Sequence, residues 1–153
     1  MPVLHFTVHI NSPREAIFAL IADLAHYDRW LPGSKVFGGM TQVSPTPTDL
    51  GTTYADGTMR GSITEYNPPE RITFQQSMPV KVLMFTGVME ISACYTLEAT
   101  GAGEQTTHVK RDVTFDVHGP LKVVRPIVAA TIRRESGRLL EIMKRYVESN
   151  KDI

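Results

Sequence analysis

The sequence predicts an α+β fold, a curved seven-stranded antiparallel sheet wrapped around one long C-terminal helix. Three observations carry it. The stretch "LHFTVHI" (Leu4 to Ile10) alternates apolar and polar residues as a half-buried strand does. Residues 35–118 are cut into short extended runs by turn-forming clusters, the texture of an antiparallel meander. After Gly119-Pro120 a helical period sets in and persists almost to the C-terminus.

In the first run Leu4, Phe6, Val8 and Ile10 share one face, and His5, Thr7 and His9 share the other. Ser12-Pro13-Arg14-Glu15 then reads as a capping box with proline at the first helical position, followed by Ala16, Ile17, Leu20, Ile21 and Leu24 at helical spacing. That helix is expected to end near Ala25, where "YDRWLPG" (Tyr27 to Gly33) turns the chain, and two short helices are expected after the first strand. The clearest later breaks are "PTPTDLG" (Pro45 to Gly51), "NPPE" (Asn67 to Glu70) and "GAGE" (Gly101 to Glu104). Between them strands are predicted over 35–43, 51–58, 60–66, 71–77, 86–98 and 106–117. In the last helix Val124, Val128, Ile132, Leu139, Ile142 and Tyr146 form an apolar stripe, and the concave face of the sheet is the surface on which to bury it. No linker, repeat or low-complexity stretch divides residues 1–153, so a single domain is expected.

The 16 Lys and Arg residues balance 16 Asp and Glu. No global field then gathers nucleic acid or an anionic membrane, and nucleic-acid binding is disfavoured. The longest uncharged apolar run, Val82 to Met89, is far short of the ~20 residues of a spanning helix. The N-terminal stretch lacks a basic leader followed by an apolar core. A cytoplasmic protein without stable membrane insertion is expected. Cys94 is the one cysteine, which excludes an intramolecular disulfide and reads as a small buried hydrophobe. The five histidines form no HExxH or Cys-rich cluster, and there is no GxGxxG, Walker loop or GxSxG elbow. Neither a metal nor a cofactor is expected.

The order of strand, short helices, meander and long helix resembles the helix-grip fold of the START-like (SRPBCC) superfamily, which includes the polyketide cyclase/dehydrase families. "INSPREAIFALIADLAHYDRWLP" (Ile10 to Pro32) is similar to that superfamily's opening motif, with Asp23 late in the helix and a Trp-x-Pro at Trp30 to Pro32. "ITEYNPPERITF" (Ile63 to Phe74) resembles its hairpin with a central proline, and "LLEIMKRYVES" (Leu139 to Ser149) its closing helix. The resemblance implies a chamber between sheet and helix. It further implies a small hydrophobic or aromatic ligand there, a lipid, quinone or polyketide-like molecule, or else a polyketide cyclase/dehydratase working by acid/base chemistry.

Alternation nominates the chamber's lining. Val109, Arg111, Val113, Phe115 and Val117 share a face, so Arg111 is a cation in an apolar row. Either it meets a polar group inside or a bulge returns it to solvent. Gln76 stands in the same way beside Ile72, Phe74 and Met78, and Tyr95 beside Ile91, Ala93 and Leu97. On the helix Val128 lies in the stripe, and Glu135 falls between Ile132 and Leu139, where it reaches Arg111 or a ligand, or else turns to water. Trp30, with Tyr27 near it, walls the chamber's mouth or packs in the core. In "MRGSITEY" (Met59 to Tyr66) Arg60, Ser62, Thr64 and Tyr66 share one face, and a single bulge would exchange it with the other. Cyclases of the superfamily place an arginine and a tyrosine in the chamber, which makes Arg111, Arg60 and Tyr66 the catalytic candidates. "PVKVLMF" (Pro79 to Phe85) reads as an apolar lip over the entrance or as a homodimer contact.

Overall fold

The computed structural model describes residues 3–22, 42–44, 51–56, 59–101 and 105–149. Its strands are β1 (Val3–Ile10), β2 (Gln42–Ser44), β3 (Thr53–Asp56), β4 (Met59–Asn67), β5 (Arg71–Val82), β6 (Phe85–Thr100) and β7 (Thr106–His118). They form one antiparallel sheet in the order β1-β7-β6-β5-β4-β3-β2. Helix α1 (Arg14–Ala22) follows β1, and a 3-10 segment (Gly119–Val124) leads into α2 (Arg125–Ser149). This is the helix-grip α+β architecture that the sequence predicts. The second short helix, most of the strand predicted over 35–43, Tyr27 and Trp30 lie outside the described residues.

The period-2 pattern translates directly into an inner and an outer face. On β7 Val109, Arg111, Val113, Phe115 and Val117 are buried, while His108, Lys110, Asp112, Thr114 and Asp116 are only half-buried on the outer face. The outer face is polar and cross-linked between neighbouring strands: His5 pairs with Asp112 at 2.6 Å, His118 with Glu90 at 3.0 Å and Lys110 with Glu98 at 3.5 Å. The apolar inner face is covered by α2, which buries Val128, Ile132, Ser136, Leu139, Leu140 and Met143. The buried stripe is therefore rotated from the predicted one, because Ile142 and Tyr146 end half-buried and Leu140 and Met143 take the interior.

One sequence expectation is corrected, and one alternative that the sequence left open is resolved. The strands predicted over 71–77 and 86–98 run further toward each other: β5 continues through Pro79 to Val82, β6 starts at Phe85, and only Leu83 and Met84 turn between them. Proline is tolerated in this strand, whose end projects past the rest of the sheet toward solvent. The register of β4 is set by a bulge at Thr64, since Ile63 pairs with Phe74 and Glu65 with Thr73. Gly61 and Ile63 point inward before the bulge and Tyr66 after it, which leaves Arg60 exposed. One glycine is required by close approach. A Cβ on Gly87 would overlap the His118 carbonyl oxygen and lie 2.7 Å from Leu121 Cβ, so this residue lets the 3-10 segment fold tightly across β6.

Candidate functional site

The buried side chains fall into two apolar clusters. One gathers Ile17, Phe18, Tyr54, Ile72, Phe74, Tyr95, Val109, Leu139 and Met143; the other gathers Leu4, Met89, Ile91, Val113, Phe115, Leu121, Val128 and Ile132. The boundary between them is polar. On β7 Arg111 stands between Val109 of the first cluster and Val113 of the second. On α2 Ser136 stands between Ile132 and Leu139, and on β5 Gln76 stands between Phe74 and Met78. Three elements thus each place one polar side chain at the same seam.

Arg111 is the centre of this seam and is only 1% exposed. Its Nη1 donates to the Tyr95 hydroxyl at 2.5 Å, its Nε donates to Ser136 Oγ at 3.2 Å, and its guanidinium carbon lies 5.1 Å from the Tyr95 ring centroid. Arg111 and Tyr95 are paired across β7 and β6, which is why the two side chains rise together from the inner face. The Tyr95 ring meets Phe74 edge-on at 5.8 Å, and Phe74 meets Tyr54 edge-on at 6.1 Å. Tyr54 closes the row by donating its hydroxyl to Gln76 Oε1 at 2.8 Å. Desolvation makes such buried polar groups costly unless bonded, and here the bonds run from side chain to side chain.

Burial pushes the pKa of the Tyr95 hydroxyl above its ordinary value of 10.0, opposed by the Arg111 guanidinium and its hydrogen bond. Tyr54 is pushed up by burial first and by Tyr95 second, again opposed by Arg111. Both phenols are therefore neutral donors at physiological pH. The folded state holds these protons more tightly than the unfolded chain. Stability attributable to them is fully present below pH 10.0 and is lost as pH rises above it. In an alkaline titration two of the five tyrosines are expected to give their phenolate absorbance only together with unfolding. Five phenolates appearing while the far-ultraviolet circular dichroism stays native would refute this.

The other nominated residues are dispersed. Tyr66 is half-buried against Phe18, with ring centroids 5.6 Å apart, and Arg60 is exposed. Phe115 is buried in the second cluster under the Arg125 guanidinium, 4.8 Å from its centroid. Glu135 does not reach into the seam beside Arg111. Its carboxylate accepts from Arg138 at 3.4 Å, because the helix presents Ser136 inward and carries Glu135 to the flank. Tyr54 and Ser136 belong to the seam although the sequence did not single them out. The signal for Ser136 was its place one turn after Ile132, and for Tyr54 its place in the strand predicted over 51–58.

Beside the seam, a cleft of about 370 Å³ opens between the end of the β5–β6 hairpin and the first half of α2. Met78, Met89, Val128 and Ile132 form its floor, with Lys81, Thr131 and Arg134 also lining it. Among the described residues no helix is long and apolar enough to cross a membrane, and no group of three metal-ligating side chains comes together.

Residues 1–148 match the family model described as polyketide cyclase / dehydrase and lipid transport. The chain belongs to this family. Solved structures with the same fold include CalU16 from Micromonospora echinospora, at 14% identity and a TM-score of 0.62, covering 95% of this chain and 73% of that one. A conserved protein from Geobacillus kaustophilus aligns at 8% identity and a TM-score of 0.67 over 97% of this chain and 96% of its own. The di-domain ARO/CYC BexL of the BE-7585A biosynthetic pathway aligns at 20% identity and a TM-score of 0.64; it covers all of this chain, which spans only 48% of BexL. At such identities the likeness shows the fold. No curated protein matches the chain by sequence.

Proposed function

We propose that this family member binds a small, largely apolar or aromatic molecule that carries an oxygen acceptor, holding it at the seam between sheet and α2. The observation that carries this reading is the Arg111–Tyr95–Ser136 constellation, buried between two apolar clusters and close to an open cleft. Apolar walls supply affinity, and a few convergent polar groups fix orientation. Burying roughly 300 Å² of ligand at about 25 cal/mol/Å² gives about 7 kcal/mol before association costs, so the apolar walls alone capture a ligand weakly and the polar groups of the seam must add to them for micromolar affinity. Lipids, quinones and polyketide-like molecules have this character, and the family's description names two of these classes.

The test is native mass spectrometry of protein purified from its own host, followed by extraction and identification of what is bound. A stoichiometric apolar molecule bearing a carbonyl or hydroxyl is expected. An empty protein that also fails to bind a panel of quinones, fatty acids and polyketide mimics would overturn the reading.

The buried pairing of Arg111 with Tyr95 favours cyclase/dehydratase chemistry as the second reading. A guanidinium beside a phenol that keeps its proton can stabilise an enolate oxygen and return a proton to it. Under this reading Tyr95→Phe slows turnover of a linear poly-β-ketone mimic by about 100-fold while binding is retained.

A further inference from the structure

The balanced charge of the whole chain conceals a strong local asymmetry. Residues 72–89 contain no Asp or Glu and neither do residues 117–134, while together they carry Lys81, Lys122, Arg125, Arg133 and Arg134. These two runs meet at one end of the molecule, where the β5–β6 hairpin lies against the 3-10 segment and the start of α2. The nearby carboxylates of Glu90 and Asp116 lie on the outer face of the sheet, engaged by His118 and Arg125. Among the described residues Lys81, Lys122 and Arg134 form no ion pair.

The same end carries the most exposed large apolar side chains of the described residues. Leu83 is 72% exposed and Met84 is 82% exposed at the hairpin tip, Val123 is exposed in the 3-10 segment and Ile127 at the start of α2. Ile127, Thr131 and Arg134 follow at helical spacing, and the last two line the cleft with Lys81. The tip also breaks the local rules of turn formation. Leu83 has φ 58°, at the first position of a two-residue hairpin turn where glycine is preferred. A bulky residue kept in a disfavoured conformation and projected into water has no folding role to explain it.

We propose that the hairpin tip and the start of α2 form a docking surface for an anionic lipid bilayer. Leu83, Met84 and Ile127 enter the interface between headgroups and acyl chains, and Lys81, Lys122 and Arg134 meet the phosphates around them. A second copy of the chain fits this surface poorly, because a two-fold contact would bring the two basic patches face to face. The bilayer offers the opposite charge and needs no shaped partner. Docked in this way, the molecule presents its cleft to the membrane, a route for apolar molecules between bilayer and interior.

The test requires no knowledge of the ligand. The full chain is sedimented with phosphatidylcholine vesicles, with and without about one third phosphatidylglycerol, at low and high salt. Binding is expected only to the anionic vesicles and is expected to weaken steeply with salt. Each basic residue near such a surface contributes about fivefold in affinity, so Lys81→Glu with Arg134→Glu is expected to weaken binding at least about 25-fold. Leu83→Gly with Met84→Ser removes the apolar tip and suits the turn better; it is expected to keep or raise the melting temperature while losing binding at least tenfold. No sedimentation with anionic vesicles overturns the proposal. So does equal binding to both vesicle types, or binding that is indifferent to the tip variant. A concentration-dependent dimer that the tip variant abolishes, without vesicle binding, overturns it in favour of self-association.

Discussion

Arg111→Ala is expected to lower the free energy of unfolding by about 3–5 kcal/mol, whereas Arg111→Met costs about 1–2 kcal/mol. Alanine strands the Tyr95 and Ser136 hydroxyls without their donor and leaves a void where the arginine stem lay. Methionine fills most of that volume with an adaptable apolar chain, so the principal loss is the hydrogen bonding. Urea denaturation of the two variants separates these effects. The methionine variant then isolates the chemistry of the site. If the guanidinium anchors a ligand oxygen, affinity for a quinone or polyketide mimic falls about 10- to 100-fold while affinity for a plain hydrocarbon of similar size is kept. A methionine variant as unstable as the alanine variant would mean that the cation is needed to hold the fold, and the binding role assigned to Arg111 would fail.

Arg111 could be found in the sequence because β7 keeps its alternation unbroken from Thr107 to Val117, so position alone puts it among apolar neighbours. Tyr95 and Gln76 were legible for the same reason. Alternation fails where the pleat does. At Thr64 one additional residue exchanges the faces of β4, and only the paired strand reveals that Tyr66, not Arg60, turns inward. Helical phase is less forgiving still. Glu135 and Ser136 are one residue and about 100° apart, so an error of one residue in the phase of α2 decides which of them meets Arg111. The strand ends around Pro79 to Phe85 were missed because the turn at Leu83-Met84 contains none of the residues that ordinarily announce a hairpin.

That failure and the burial of Arg111 have a common physical meaning. A sequence reads cleanly where local preference and tertiary structure agree, and departures concentrate where another demand competes. In the seam the departure is a polar belt interrupting the core, at the tip a leucine in a glycine conformation. One departure is internal and bonded. The other is external and faces water.

Gly61→Val is expected to destabilise the protein by about 3–4 kcal/mol through Tyr54. Gly61 lies directly across from Tyr54 in the β3–β4 pair, and the tyrosine ring folds over it. A Cβ on Gly61 would overlap Tyr54 Cζ and lie 2.6 Å from both its Cε2 and its hydroxyl. The ring cannot yield freely, because it is buried, packed edge-on against Phe74 and tied to Gln76. Displacing it leaves the Gln76 side chain and the Tyr54 hydroxyl without each other, adding unsatisfied polar groups to the steric strain. A double-mutant cycle identifies the cause. In a Tyr54→Leu background the same Gly61→Val change is expected to cost less than about 1 kcal/mol, because the obstructing ring end is gone. An unchanged cost in that background would place the damage in the β4 backbone, and Gly61 would then have no part in building the row from Gln76 through Tyr54 and Phe74 to Tyr95 and Arg111.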